Sequence, residues 1–225
     1  SLDQVPCNLV EGDQRTYHPI GDKEHVWLAG SGKSDEGKRF CTLQVIVKCV
    51  NGDKEKLYAE QPSPEICFRG KGLRISQKEL EAWHPNVWVR FQPSAWYDDE
   101  TCLRYADERF PEISSDARKN RRESVLVLDN LHGQTTEEFK DELWKNSKTK
   151  VHLLPGGVTD LLQLIDAGFG HALKHQLGER HSEWMQLEGN LELWTKGMAM
   201  WEKRVHMTRM IAAAYDDACK NYDFE

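Results

Sequence analysis

The chain has 225 residues, a net charge of −7 and eight tryptophans spread along its length, which excludes a disordered tail and allows one well-filled core. No apolar run approaches bilayer length. The acidic balance is the reverse of a dedicated DNA-binding module, which needs basic residues to displace counterions; a nuclease core, whose acids are neutralised by metal ions, is less constrained.

Six cysteines (Cys7, Cys41, Cys49, Cys67, Cys102, Cys219) lie far apart with no C-x-x-C pair, so a structural zinc site is disfavoured and reduced intracellular thiols are expected. Ser1 stands where Met would open a complete protein, and Asp3 interrupts any signal peptide. The chain therefore reads as a piece of a longer one.

In chain order, His25 to Ala29 reads as a short strand, and Phe40 to Val50 as a long one. In the long strand Cys41, Leu43, Val45, Val47 and Cys49 form a wholly apolar face, as expected of a strand turned to a core. Asn51-Gly52-Asp53 is a hairpin turn signal. Leu57 to Phe68 is extended, and Pro62 and Pro64 place it at a sheet edge. Val87 to Phe91 predicts a strand, Asp98 to Phe110 a helix ending at Pro111, and Asp116 to Glu123 a charged loop. Ser124-Val125-Leu126-Val127-Leu128 is a continuous apolar run, the pattern of a strand buried on both faces. A helix from about Thr136 to Asn146 follows, capped by Thr135 or Thr136, and then a strand over 150–154 stopped by Pro155-Gly156-Gly157. A long helix beginning near Thr159 carries Asp166 in its second turn. This alternation implies a parallel, helix-covered sheet. Leu191, Trp194, Met198, Trp201, Val205, Ala212, Tyr215 and Cys219 mark an amphipathic helix or helix pair, packed on the core or on a partner helix.

Three aspartates fall at element ends. Asp3 precedes Gln4-Val5-Pro6, read as a turn after a first strand; Asp129 closes the apolar strand; Asp166 lies on the later helix. Ligand groups in open α/β sheets gather at the carboxyl ends of strands. Aspartates brought together there repel one another unless cations are present. Mg²⁺ takes hard oxygen ligands, and two such ions about 3.5–4 Å apart serve in-line phosphoryl displacement. From spacing alone, each aspartate also reads as an ordinary turn or cap residue.

Several stretches resemble, in order, the catalytic domain of mariner/pogo-type transposases, the DDE superfamily endonucleases. They include Leu2-Asp3-Gln4-Val5-Pro6; Thr16-Tyr17 and Gly21 through Trp27; and Lys38 through Gln44. Phe68 through Ser76, Phe91 through Trp96, Leu126-Val127-Leu128-Asp129-Asn130, and Leu154 through Thr159 with Leu162-Gln163-Leu164-Ile165-Asp166 complete the set. The resemblance implies an α/β, ribonuclease-H-like mixed sheet flanked by helices over residues 1–187, with a C-terminal helical extension over 188–225. It implies that Asp3, Asp129 and Asp166 are the catalytic acids and metal ligands for two Mg²⁺ or Mn²⁺ ions. It also implies DNA as partner, no membrane, a nuclear location and an upstream helix-turn-helix domain, and leaves homo-oligomerisation open. Leu164 stands where the family usually has Pro, which implies a shifted start for the helix carrying Asp166. The enzyme implied cuts DNA at transposon ends and joins them to target DNA. The alternative is a domesticated, catalytically silent DNA-binding or oligomerisation module.

Other motifs carry less. Gly30-Ser31-Gly32-Lys33-Ser34 lacks the first P-loop glycine, because Trp27 occupies its place. His171 and His175 have zinc-protease spacing, but Ala172 stands where the general base belongs. His132 is either a neighbour of the acids or a loop histidine. Arg69-Lys71-Arg74 and Arg118-Lys119-Arg121-Arg122 are either solvated surface or phosphate contacts.

Overall fold

In the computed structural model, residues 1–8, 39–48, 61–115, 122–157 and 162–222 are described. The readings of 25–29 as a strand, 30–34 as a partial P-loop, 51–53 as a turn, most of 116–123 as a loop, and a helix start near Thr159 lie outside these residues.

Four strands make the main sheet in the order β1 (Leu2–Asn8), β2 (Arg39–Ile46), β3 (Glu65–Arg69) and β4 (Trp88–Gln92). The first two pairings are antiparallel and β3–β4 is parallel. A second, parallel pair is formed by β5 (Ser124–Leu128) and β6 (Thr149–Leu153), and β5 packs beside β1. The chain is a mixed α/β protein.

Two helical layers sandwich the main sheet. On one face Cys41, Leu43, Val45, Ile66 and Phe68 share a core with Leu173 and Leu177 of α6 (Gly170–Gln186) and with Ile211, Ala214 and Tyr215 of α8 (Met200–Asn221). On the other, Leu2, Ile46 and Cys67 meet Cys102, Tyr105 and Ala106 of α2 (Asp99–Glu108) and Phe139 and Leu143 of α5 (Glu137–Ser147). The polar parity of β2 is thus also covered: Thr42 and Gln44 are buried, and Thr42 Oγ1 donates to the Ala95 carbonyl at 2.5 Å. The last apolar repeat packs on this core, α8 lying against α6. Between the two helices, His181 and His206 pack among Trp184 and Trp194. Burial lowers His206 to about 4, so it stays neutral near pH 7.

Helix signals held closely. Asp98 caps α2 by accepting from the Thr101 amide, and Thr136 caps α5 by accepting from the Phe139 amide. The helix expected to reach Phe110 breaks at Arg109, and Pro111 sits in the first turn of a new short helix, α3 (Phe110–Ile113), where its missing N–H is tolerated.

Three expectations need correction. β3 is not an edge strand: it pairs on both sides, because Pro62 and Pro64 precede the ladder and need donate nothing to it. Nor is β5 buried on both faces. Leu126 and Leu128 are buried beside α5, whereas Val125 is 64% exposed. Finally, Gln4-Val5-Pro6 is strand and not turn. Pro6 is accommodated because β1 is the terminal strand of its sheet.

Candidate active site

Asp3 lies near the start of β1, opposite Val45, and is almost fully buried. Burying a carboxylate disfavours its charge, and burial is the largest influence on this one. Its ordinary value of 3.8 rises to about 7. The negative charge of Asp166, a hydrogen bond with Asp166 and the charge of Asp129 add to the rise; the Gln4 amide, donating to Asp3 Oδ1 at 2.6 Å, opposes it. Asp129 and Asp166 therefore both lie within electrostatic reach of Asp3. A hydrogen bond between two carboxyl groups requires a proton, and Asp3 is the group poised to hold it near neutral pH.

Asp129 follows β5 directly. Its Oδ1 accepts from the Leu131 amide at 3.2 Å. The peptide before it is tied to β6, because the Leu154 amide donates to Leu128 O, and Asn130 Nδ2 donates to Leu154 O at 3.3 Å. The expected placing of an acid at a strand's carboxyl end holds here, for local reasons: four apolar residues, Val125 to Leu128, end at a polar one.

Asp166 is not in the second turn of a regular helix. It lies on a π-helical turn, Ile165–Phe169, separated from α6 by a kink at Gly168 with φ 156° and ψ −32°. That backbone conformation is closed to side chains with a Cβ. A Cβ at Gly168 would also stand 2.7 Å from the Tyr222 hydroxyl. The kink turns the chain so that Ile165 and Phe169 enter the core while Asp166 stays exposed. Gly170 then lets α6 approach the sheet, since a Cβ there would meet Ile165 O at 3.0 Å and Val5 Cγ2 at 3.5 Å. Gly168→Ala is expected to lose roughly 2–4 kcal/mol of stability in urea unfolding through strain and overlap. The same change at Gly189, also left-handed but with nothing nearby, should lose clearly less.

Gln163, which lies in the stretch Leu162-Gln163-Leu164-Ile165-Asp166, carries no signal of its own in the sequence. It is fully buried, donates from Nε2 to Leu2 O at 2.8 Å and accepts from Ser1 Oγ at 2.6 Å. Its backbone carbonyl accepts from the Ala167 amide at 2.7 Å. Only the pairing of a buried amide with residues more than 160 positions away reveals it.

Other candidates stand apart. His132 pairs through Nδ1 with Asp99 at 3.2 Å and is 86% exposed. His175 pairs with Glu179 on the exposed side of α6. Arg69, the last residue of β3, and Lys71 and Arg74 on the loop after it are exposed. The reading of 118–122 falls outside the described residues except for exposed Arg122.

The donor set suits a hard divalent cation: three carboxylates, one of them, Asp3, pushed up to about 7 by burial and its neighbours' charge. Among the described residues, no three acidic, imidazole or thiol groups close around one point. The chemistry fits; the closure does not yet exist.

No curated protein and no solved structure matches the chain. The sequence profile of a family described as DDE superfamily endonuclease matches residues 41–217, which hold Asp129, Asp166 and Gln163 but not Asp3. With a match over most of its length, the chain belongs to the DDE superfamily endonuclease family.

Proposed function

We propose that this domain is the metal-dependent DNA-cutting and strand-joining core of a cut-and-paste transposase of mariner/pogo type, or of a protein derived from one, on a ribonuclease-H-like fold. The observation that carries the reading is the meeting of Asp3, from β1, with Asp166, from a turn far along the chain, within reach of the charge of Asp129. A fold gains nothing from setting two acids near a buried carboxyl, because their charge makes its ionisation costlier. Sites that bind cations need that arrangement.

Asp3, Asp129 and Asp166 would hold two Mg²⁺ or Mn²⁺ ions. Bound there, the ions supply Lewis acidity for the attacking and leaving oxygens of an in-line displacement at phosphorus. The chain's own part is to hold and orient. Asp3, whose carboxyl is pushed up to about 7 by burial and its neighbours' charge, would be ionised in holding a cation. Asp129 is fixed by the Leu131 amide and by the ties between β5 and β6. In the proposed reaction, water forms a new P–O bond and the P–O3′ bond breaks, which frees a 3′ hydroxyl for attack on target DNA.

A second reading, a silent DNA-binding or oligomerisation module, is favoured by the open state of the acids among the described residues. The two separate on nicking of supercoiled plasmid by the full-length protein. The nuclease reading expects nicking with Mg²⁺ or Mn²⁺ that stops on adding EDTA and returns with excess Mn²⁺. Absence of nicking, together with absence of Mn²⁺ binding, selects the silent module.

A further inference from the structure

We infer that Gln163 is a positioning residue: its side-chain amide fixes the strand carrying Asp3 against the turn carrying Asp166, and so sets the spacing of the two acids for cation binding. The inference rests on the reading of those acids as metal ligands.

Leu2 O, the acceptor of the Gln163 amide, belongs to the peptide unit whose nitrogen is that of Asp3. One side chain therefore grips the backbone immediately before the first acid. Gln163 also stands three residues before Asp166, and its carbonyl accepts from Ala167, within the same turn. The span from one acid's backbone to the other's runs through a single fully buried side chain bonded at both ends of its amide. Rotamer freedom is removed by those bonds and by the packing of Ile165 and Phe169 beside Val5 in one core.

The residue type is also explained. A primary amide donates and accepts at once, which is what Leu2 O and Ser1 Oγ together require. A carboxylate in its place accepts only, and would add a negative charge beside acids already in conflict. An aliphatic chain of equal length does neither, leaving buried Leu2 O without this donor. Gln163 touches neither substrate nor metal in this role; it acts through the placement of Asp3 and Asp166. Groups that orient a metal's ligands typically change affinity by about 10–100-fold when removed.

The test is Mn²⁺ titration by calorimetry on the chain as it stands, with near-UV circular dichroism as the check on folding. Gln163→Met is expected to weaken Mn²⁺ binding by about 10–100-fold while keeping the native spectrum. Ser147→Ala, which removes a fully buried hydroxyl that donates to Leu143 O at 2.6 Å, is the control for lost stability and should bind as wild type does. Gln163→Asn keeps the amide on a shorter arm and should also bind weakly, which preserves the test if the Met variant does not fold. Wild-type affinity in either folded Gln163 variant overturns the inference, as does equal weakening in Ser147→Ala. Failure of wild type to bind Mn²⁺ overturns the reading of the acids themselves, and this assignment with it.

Discussion

Asp129→Asn and Asp166→Asn are each expected to reduce the proposed Mn²⁺-dependent nicking by the full-length protein by about a thousandfold or more, with circular dichroism unchanged. The magnitude follows from what is removed: a bound cation contributes several kcal/mol of transition-state stabilisation, and each 1.36 kcal/mol is tenfold in rate. The amide keeps the shape of the carboxyl and the hydrogen bond from the Leu131 amide to the side-chain oxygen of residue 129. Only the charge is lost. Asp166 is exposed, so neutralising it also leaves packing intact. Plasmid relaxation assayed across a Mn²⁺ series is the direct measurement. Nicking by either variant at the wild-type rate removes that residue from the ligand set.

Asp3→Asn has two opposite effects, and the pair is more telling than either alone. The Asp3 carboxyl titrates at about 7 in the folded protein against an ordinary 3.8. The folded state therefore holds a proton that the unfolded state releases between those values. Its contribution to stability is complete below about pH 4 and is lost as pH rises through about 7. At pH 8, without metal, the folded protein carries a buried charge on the order of 3 kcal/mol unfavourable. Asp3→Asn removes it, so the metal-free variant should melt roughly 5–10 °C above wild type at pH 8. At pH 4 the two should nearly coincide. Mn²⁺ at about 100 times its dissociation constant should raise wild type by about 2.7 kcal/mol and the variant by almost nothing. Thermal melts at both pH values, with and without Mn²⁺, read all four corners. A metal-free Asp3→Asn variant less stable than wild type at pH 8 contradicts the burial argument.

Parts of this architecture were plain in the residues. The alternation along Cys41 to Val47 and the apolar block before Asp129 each select one local structure, and the cap at Thr136 marks a helix start through a side chain bonding its own neighbours. These are short-range effects, readable from a few residues. What escaped depends on tertiary contacts. Pro62 and Pro64 suggested an edge, yet the ladder begins one residue beyond them. Thr42 and Gln44 look solvent-facing until a second helical layer covers them. Leu164 through Gly170 reads as continuous helix, and only the pressure to bury Ile165 and Phe169 around the Gly168 kink breaks it. At the site, Asp129 was legible from its strand. Asp3 was picked out for an element end it does not occupy, and Gln163 was silent because its partners are Ser1 and Leu2.

The most direct measurement is a crystal structure of the chain grown with Mn²⁺, with anomalous scattering recorded at the manganese edge. The account predicts two anomalous peaks enclosed by carboxylate oxygens of Asp3, Asp129 and Asp166, with the Asp3–Asp166 hydrogen bond opened to admit them. A crystal saturated with Mn²⁺ that shows no peak there, with that hydrogen bond still in place, contradicts it.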